Sequence, residues 1–196
     1  MHTQDVMIPS MTTRRARPAA AADIEGERQE VVGGELMWKA APTFDHGDLQ
    51  AVLCGRLIGF RGYGRPGGWW LGTEVEVELA PHEVYLPDIS GWRIERVPDR
   101  PRGKPVRVAP DWVCEILSPS TASRDLGHKQ RNYHLARVGH YWVVDPDHQV
   151  LEVFRWREAG YELAMAAAVG DTVGVEPFDA ISLDLSDIFG RSPGTP

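Results

Sequence analysis

Cysteine is almost missing from this chain of 196 residues, which has only Cys54 and Cys114. Two cysteines cannot build a disulfide framework or a four-cysteine zinc site. Each stands among apolar neighbours, after Val52-Leu53 and after Trp112-Val113, and both read as small buried residues of a reduced, cytosolic protein. Long apolar runs are also missing, with nothing near the roughly 20 residues of a membrane helix. The alanines from Ala19 to Ala22 after Pro18 are too few and too weakly apolar for a signal-peptide core. Positive charge is in the minority. Lys and Arg number 21 against 28 Asp and Glu, a net charge of -7, which excludes a general polyanion coat and leaves room for a local basic patch. There is no H-E-x-x-H and no G-x-S-x-G, so two common hydrolase signatures are excluded.

Apolar and charged residues, at 42% and 25%, are present in ordinary globular proportion. The length suits one domain. We expect a tail over 1–26, a domain over 27–190 and a short tail over 191–196. Gly33-Gly34 between Gln29-Glu30-Val31-Val32 and Glu35-Leu36-Met37-Trp38 predicts a hairpin. Leu49, Val52, Leu53, Leu57 and Phe60 recur at helical spacing after the capping oxygens of Thr43 and Asp45. The glycine-rich run from Gly59 to Gly72 predicts a loop. It contains Gly62-Tyr63-Gly64-Arg65-Pro66-Gly67, a literal G-x-G-x-x-G that follows a helix and not a strand, and so is no dinucleotide site. Alternation over 74–79 predicts a strand, as does 83–90 despite Pro87. Residues 111–117 are apolar at nearly every position and predict a central strand covered on both faces. A helix over about 123–138, a strand over 141–144, strands over 150–156 and 161–165, and a mildly amphipathic segment over 181–189 complete the pattern. Together these elements predict an α/β (α+β) domain, a mixed sheet flanked by helices. Most of the seven tryptophans lie in or beside strand-like runs and read as packing residues.

Three residues stand out chemically. Alternation in 111–117 puts Trp112, Cys114 and Ile116 on one face and Val113, Glu115 and Leu117 on the other. Glu115 is then a carboxylate inside a buried strand, costly unless paired, hydrogen-bonded or bound to a metal. A structural strand-end Glu is the competing reading. Lys129 shares a helical stripe with Leu126, Tyr133 and Ala136, which points it inward beside the strand its helix follows. A snorkelling lysine at the helix edge is the plain alternative. Asp88 follows Pro87 at a bend that can aim a carboxylate, although Pro-Asp is also a common turn pair. Two carboxylates and a lysine suit a hard cation such as Mg2+ beside a phosphoryl group.

At these residues the sequence resembles the bacterial Uma-type restriction endonucleases, a branch of the PD-(D/E)xK nuclease superfamily. The resemblance rests on Leu86-Pro87-Asp88-Ile89 and on Ala109 through Thr121. It continues through Arg124-Asp125-Leu126-Gly127-His128-Lys129, Tyr133, and His140 through Pro146, with Gly34-Glu35-Leu36 and His46 upstream. It implies a restriction-endonuclease-like fold and a metal-dependent endonuclease hydrolysing phosphodiester bonds in DNA. Asp88 and Glu115 would be metal ligands for Mg2+, or Mn2+ in its place. The family's lysine belongs two residues after Glu115, where this chain has Leu117, and the resemblance implies that Lys129 supplies the charge instead. Glu35 matches an acidic position near the site. His46 matches a family histidine, and a half-buried structural role is our reading of it.

The segment 93–107 carries Arg93, Arg96, Arg100, Arg102, Lys104 and Arg107 against Glu95 and Asp99, six minus two or +4. Between the two carboxylate strands it reads either as a nucleic-acid contact or as a solvated linker. The expected partner is DNA, with no membrane association, in the cytoplasm. A homodimer would suit double-strand cleavage. The alternative is a catalytically inactive nucleic-acid-binding module on the same fold, kept open by Leu117.

Overall fold

A computed structural model describes residues 28–64, 66–118 and 122–190, so the two expected tails lie outside the described residues. The chain begins with a hairpin of β1 (Gln29–Val32) and β2 (Glu35–Trp38). Gly33 and Gly34 turn it at φ +59° and +81°, two successive left-handed positions that favour glycine. Helix α1 (Phe44–Leu57) is capped by Thr43, whose side chain accepts from the His46 N–H. Its His46, Leu49, Leu53 and Leu57 form one buried face, and a single 3₁₀ turn adds Phe60. Then come β3 (Trp69–Thr73), β4 (Val77–Ala80), β5 (Glu83–Tyr85), β6 (Ile89–Arg93), β7 (Trp112–Ile116), α2 (Ala122–Leu135) and β8 (His140–Asp145). The long hairpin β9 (Val150–Arg157) and β10 (Gly160–Ala168) follows, and β11 (Thr172–Gly174), β12 (Ser182–Asp184) and α3 (Leu185–Ile188) close the domain.

The main sheet has six strands in the order β10-β9-β8-β7-β6-β3, and β7 pairs with β8 in parallel across the α2 connection. A smaller antiparallel sheet runs β2-β1-β5-β4. One face of the main sheet, with Trp112, Cys114, Ile116, Trp142 and Val144, packs with Leu49, Leu53 and Leu57 of α1 and with Phe178, Leu183 and Leu185 of the C-terminal segment. The opposite face, with Val113, Tyr141 and Val143, clusters with Tyr133 of α2 and Tyr85 of β5. β7 is thus central and covered on both faces, as its apolar sequence predicts. Cys114 is buried and Cys54 half-buried, both as free thiols.

Three expectations change. Residues 69–72 of the expected loop, together with Thr73, are a strand, β3, paired with β6 from Trp69↔Arg93 to Thr73↔Ile89, because Trp69-Trp70-Leu71 supply packing that outweighs the neighbouring glycines. The expected strand at 74–79 starts only at Val77, since Glu74 turns the chain at φ +50°. The expected strand 83–90 is two strands in two different sheets, β5 and β6, parted at Leu86-Pro87-Asp88. Among the described residues no helix is long and apolar enough to cross a membrane.

Candidate active site

Asp88 stands where the chain changes sheets. Proline has no N–H for a ladder bond, so pairing breaks at Pro87 and resumes at Ile89. The register Ile89↔Cys114, carried one residue further, sets Asp88 opposite Glu115 of β7. The Asp88 side chain is 1% exposed and well supplied with donors. Its Oδ2 accepts from the Ile116 N–H at 2.7 Å, and its Oδ1 from Lys39 Nζ at 2.7 Å and His46 Nε2 at 3.2 Å. An ionised carboxylate can only accept, so His46 Nε2 carries the hydrogen. His46 Nδ1 is then a buried acceptor with no protein partner among the described residues. Gln50 Nε2 fixes the Asp88 backbone carbonyl at 2.7 Å. Burial by itself would raise the Asp88 carboxyl. The His46 hydrogen bond and the Lys39 charge outweigh it and hold the group well below the usual carboxylate range.

Glu115 is met from α2. Lys129 and Tyr133, one helical turn apart, both point inward. Tyr133 Oη donates to Glu115 Oε1 at 2.5 Å, and Lys129 Nζ lies 3.3 Å and 3.2 Å from the two carboxylate oxygens. Lys129 also pairs with Glu30 Oε1 of β1 at 2.9 Å, and that oxygen accepts the Leu86 N–H at 2.9 Å. Burial pushes the Glu115 carboxyl up, because the charges of Lys129 and Lys39 offset it only in part. Burial also works to lower Lys129, but Glu115 and Glu30 drive it above the ordinary lysine value, so it stays an ammonium. Tyr133 is pushed well above its ordinary value by burial and by Glu115, and remains a neutral phenol.

The cluster therefore gathers three carboxylates, Glu30, Asp88 and Glu115, around two ammonium groups, Lys39 and Lys129. Among the described residues no group of three or more His, Cys, Asp or Glu side chains forms a cation cage. Mg2+ needs no such cage, because it is usually held by one or two carboxylates and keeps several waters. Two facing carboxylates with hard oxygen donors fit that ion.

The family model described as "Putative restriction endonuclease", Uma2, matches residues 18–186. The chain belongs to the Uma2 family. A solved structure described as a "putative nuclease belonging to DUF820", from Anabaena variabilis ATCC 29413, superposes with a TM-score of 0.62 at 22% identity. The match covers 83% of this chain and 89% of that one, which shows a shared fold. None of the curated proteins is similar enough to count as a match.

In this Uma2 chain the structure brings Asp88, Glu115 and Lys129 together, with His46 buried against Asp88 and not half-buried as expected. Glu35 is not brought in. It lies exposed on β2 opposite Val32, and the acid that reaches Lys129 is Glu30 on the inner strand of the same hairpin. The physical reason is position in the sheet: β1 lies between β2 and β5, whereas β2 is an edge with all four residues exposed.

The basic segment also needs correction. β6 runs away from Asp88 and β7 returns toward Glu115, so Arg93 sits roughly 17 Å of strand from Asp88. Arg93 lies over the Trp69 ring at 4.6 Å, and Arg96 Nε donates to Asp111 Oδ1 at 2.6 Å. Arg107 Nε donates to Glu78 Oε2 at 2.7 Å, and Lys104 Nζ stands 3.4 Å from Glu76 Oε1. Arg100 and Arg102 are exposed. Sequence reasoning missed Glu30 and Lys39. Glu30 had a signal, a carboxylate inside a short apolar strand. Lys39 had none, because it lies in an irregular linker after β2.

Proposed function

We propose that this Uma2 protein is a metal-dependent endonuclease that hydrolyses phosphodiester bonds in DNA. The observation that carries the reading is the placement of Asp88 opposite Glu115 with the Lys129 ammonium on Glu115. Asp88 and Glu115 would hold Mg2+, with Mn2+ as substitute. When bound, such an ion polarises a phosphoryl oxygen and lowers the pKa of a coordinated water. The chain's own residues do the rest. Ile116 N–H and His46 fix the Asp88 carboxylate, and Tyr133 fixes Glu115. Lys129, kept charged by Glu115 and Glu30, offers a positive group in a low-dielectric place, where it stabilises charge developing on the phosphate. Of the basic segment, Arg93, Arg96, Lys104 and Arg107 are engaged internally. Arg100 and Arg102 remain the candidates for phosphate contact.

Two observations favour a second reading, a nucleic-acid-binding module without catalysis. Leu117 stands at the usual lysine position, and the oxygens of Asp88 and Glu115 all have protein donors. Nicking of plasmid and of single-stranded DNA with Mg2+ and Mn2+ decides between them. Glu115→Ala and Lys129→Ala should each lose about a hundredfold or more of the rate. Activity that survives in Glu115→Ala would remove this centre from the reaction. DNA binding without cleavage on any substrate would establish the second reading.

A further inference from the structure

We propose that Lys39 is an internal competitor for the cation site: its ammonium holds Asp88 Oδ1 and has to leave before that oxygen can take a divalent cation. Lys39 thereby sets how tightly the site loads. The inference rests on the metal-dependent reading above and deepens it.

Lys39 Nζ makes two short contacts, 2.7 Å to Asp88 Oδ1 and 2.6 Å to the Leu86 carbonyl. The other donors to Asp88 are built in. Ile116 N–H belongs to the central strand, and His46 lies in the first turn of α1 with its side chain 8% exposed. Lys39 is the most exposed of the set at 14%. It stands in the irregular linker between β2 and α1, where its own N–H bonds to the Arg28 carbonyl at 2.8 Å. Its side chain is a compact charge on a flexible stem, which can swing away without moving a strand or a helix. Lys129 has no such freedom, since it is 9% exposed and held by carboxylates from β1 and β7.

Asp88 Oδ1 already accepts from both Lys39 and His46, which takes up its two lone pairs, so the Lys39 ammonium and a divalent cation compete for that oxygen. In a poorly solvated place their repulsion at contact distance is strong. The contact with Asp88 therefore opposes loading, and its release frees the carboxylate oxygen and the Leu86 carbonyl together.

Isothermal titration of the full chain with Mn2+ tests the proposal without reference to cleavage. Lys39→Met and Lys39→Gln should bind Mn2+ about tenfold or more tightly than wild type, because the competing charge is gone. Lys39→Arg keeps that charge and should bind as wild type does. Adding Asp88→Asn to Lys39→Met should erase the gain. Thermal melts of every variant establish that it is folded, and the two neutral variants guard against one failing to fold. If both neutral variants bind no more tightly than wild type while Asp88→Asn abolishes binding, the competition is refuted and the metal-dependent reading stands. If folded wild type and both neutral variants bind no Mn2+ at all, the metal-dependent reading falls and the proposal with it.

Discussion

Tyr133 illustrates how much one hydroxyl does in the cluster. Its phenol is fully buried and donates to Glu115, and Glu115 otherwise relies on Lys129. Tyr133→Phe should destabilise the fold by about 1–3 kcal/mol, the usual cost of removing a donor from a buried charged acceptor. The cleavage rate should also fall, by less than in Glu115→Ala. Urea melts and single-turnover rates measure the two effects, and an unchanged melt would mean that solvent replaces the hydroxyl. The residues that sequence reasoning reached share a cause. Glu115 and Lys129 are polar groups where a two-residue or 3.6-residue period demands apolar ones, and a broken period is visible in a bare sequence. Glu35 enters through the family resemblance alone, and hairpin periodicity does not say which of the two strands is the edge. Lys39 belongs to no period, and only the folded chain places it beside Asp88.

At the scale of elements, the main sheet is legible where its strands are mostly apolar, as in β7 and β8. It is hidden where glycine interrupts them. Gly72 lies inside β3 and Gly91 inside β6, and residues 69–72 were read as part of a loop for that reason. Gly91 has a packing role that accounts for its place in a strand. A β-carbon there would lie 3.1 Å from ring carbons of both Trp112 and Trp69 and 3.2 Å from Leu71 Cδ2. Trp112 cannot easily move, because it is fully buried with Trp142 at 5.1 Å and Phe178 at 4.8 Å between ring centroids. Gly91→Ala should therefore destabilise by about 1–3 kcal/mol, the cost of overpacking a filled core. Thermal unfolding measures it, and a melting temperature equal to wild type would show that the tryptophans yield without strain.

For the whole molecule, the distribution of apolar packing is uneven. The largest core joins α1, one face of the main sheet and the C-terminal segment, whereas in the small sheet Tyr85 and Val77 pack with main-sheet residues and the outer hairpin β1–β2 has only Val31 buried among apolar residues, against Val84. Yet Glu30 and the chain leading to Lys39 come from that small sheet, and Asp88 stands at its junction with β6. Weakly packed units open at lower free energy than the global transition. On heating, the proposed DNA cleavage should disappear at a lower temperature than the fluorescence change of Trp69, Trp112 and Trp142 in the main core. Coincident curves would show that both sheets melt as one unit. Pro87 thus does more than turn a corner. By making one peptide segment the join between a heavily packed body and a lighter flap, it would make the proposed catalytic competence and foldedness separable properties, so that a preparation could look native in its core and still be inert.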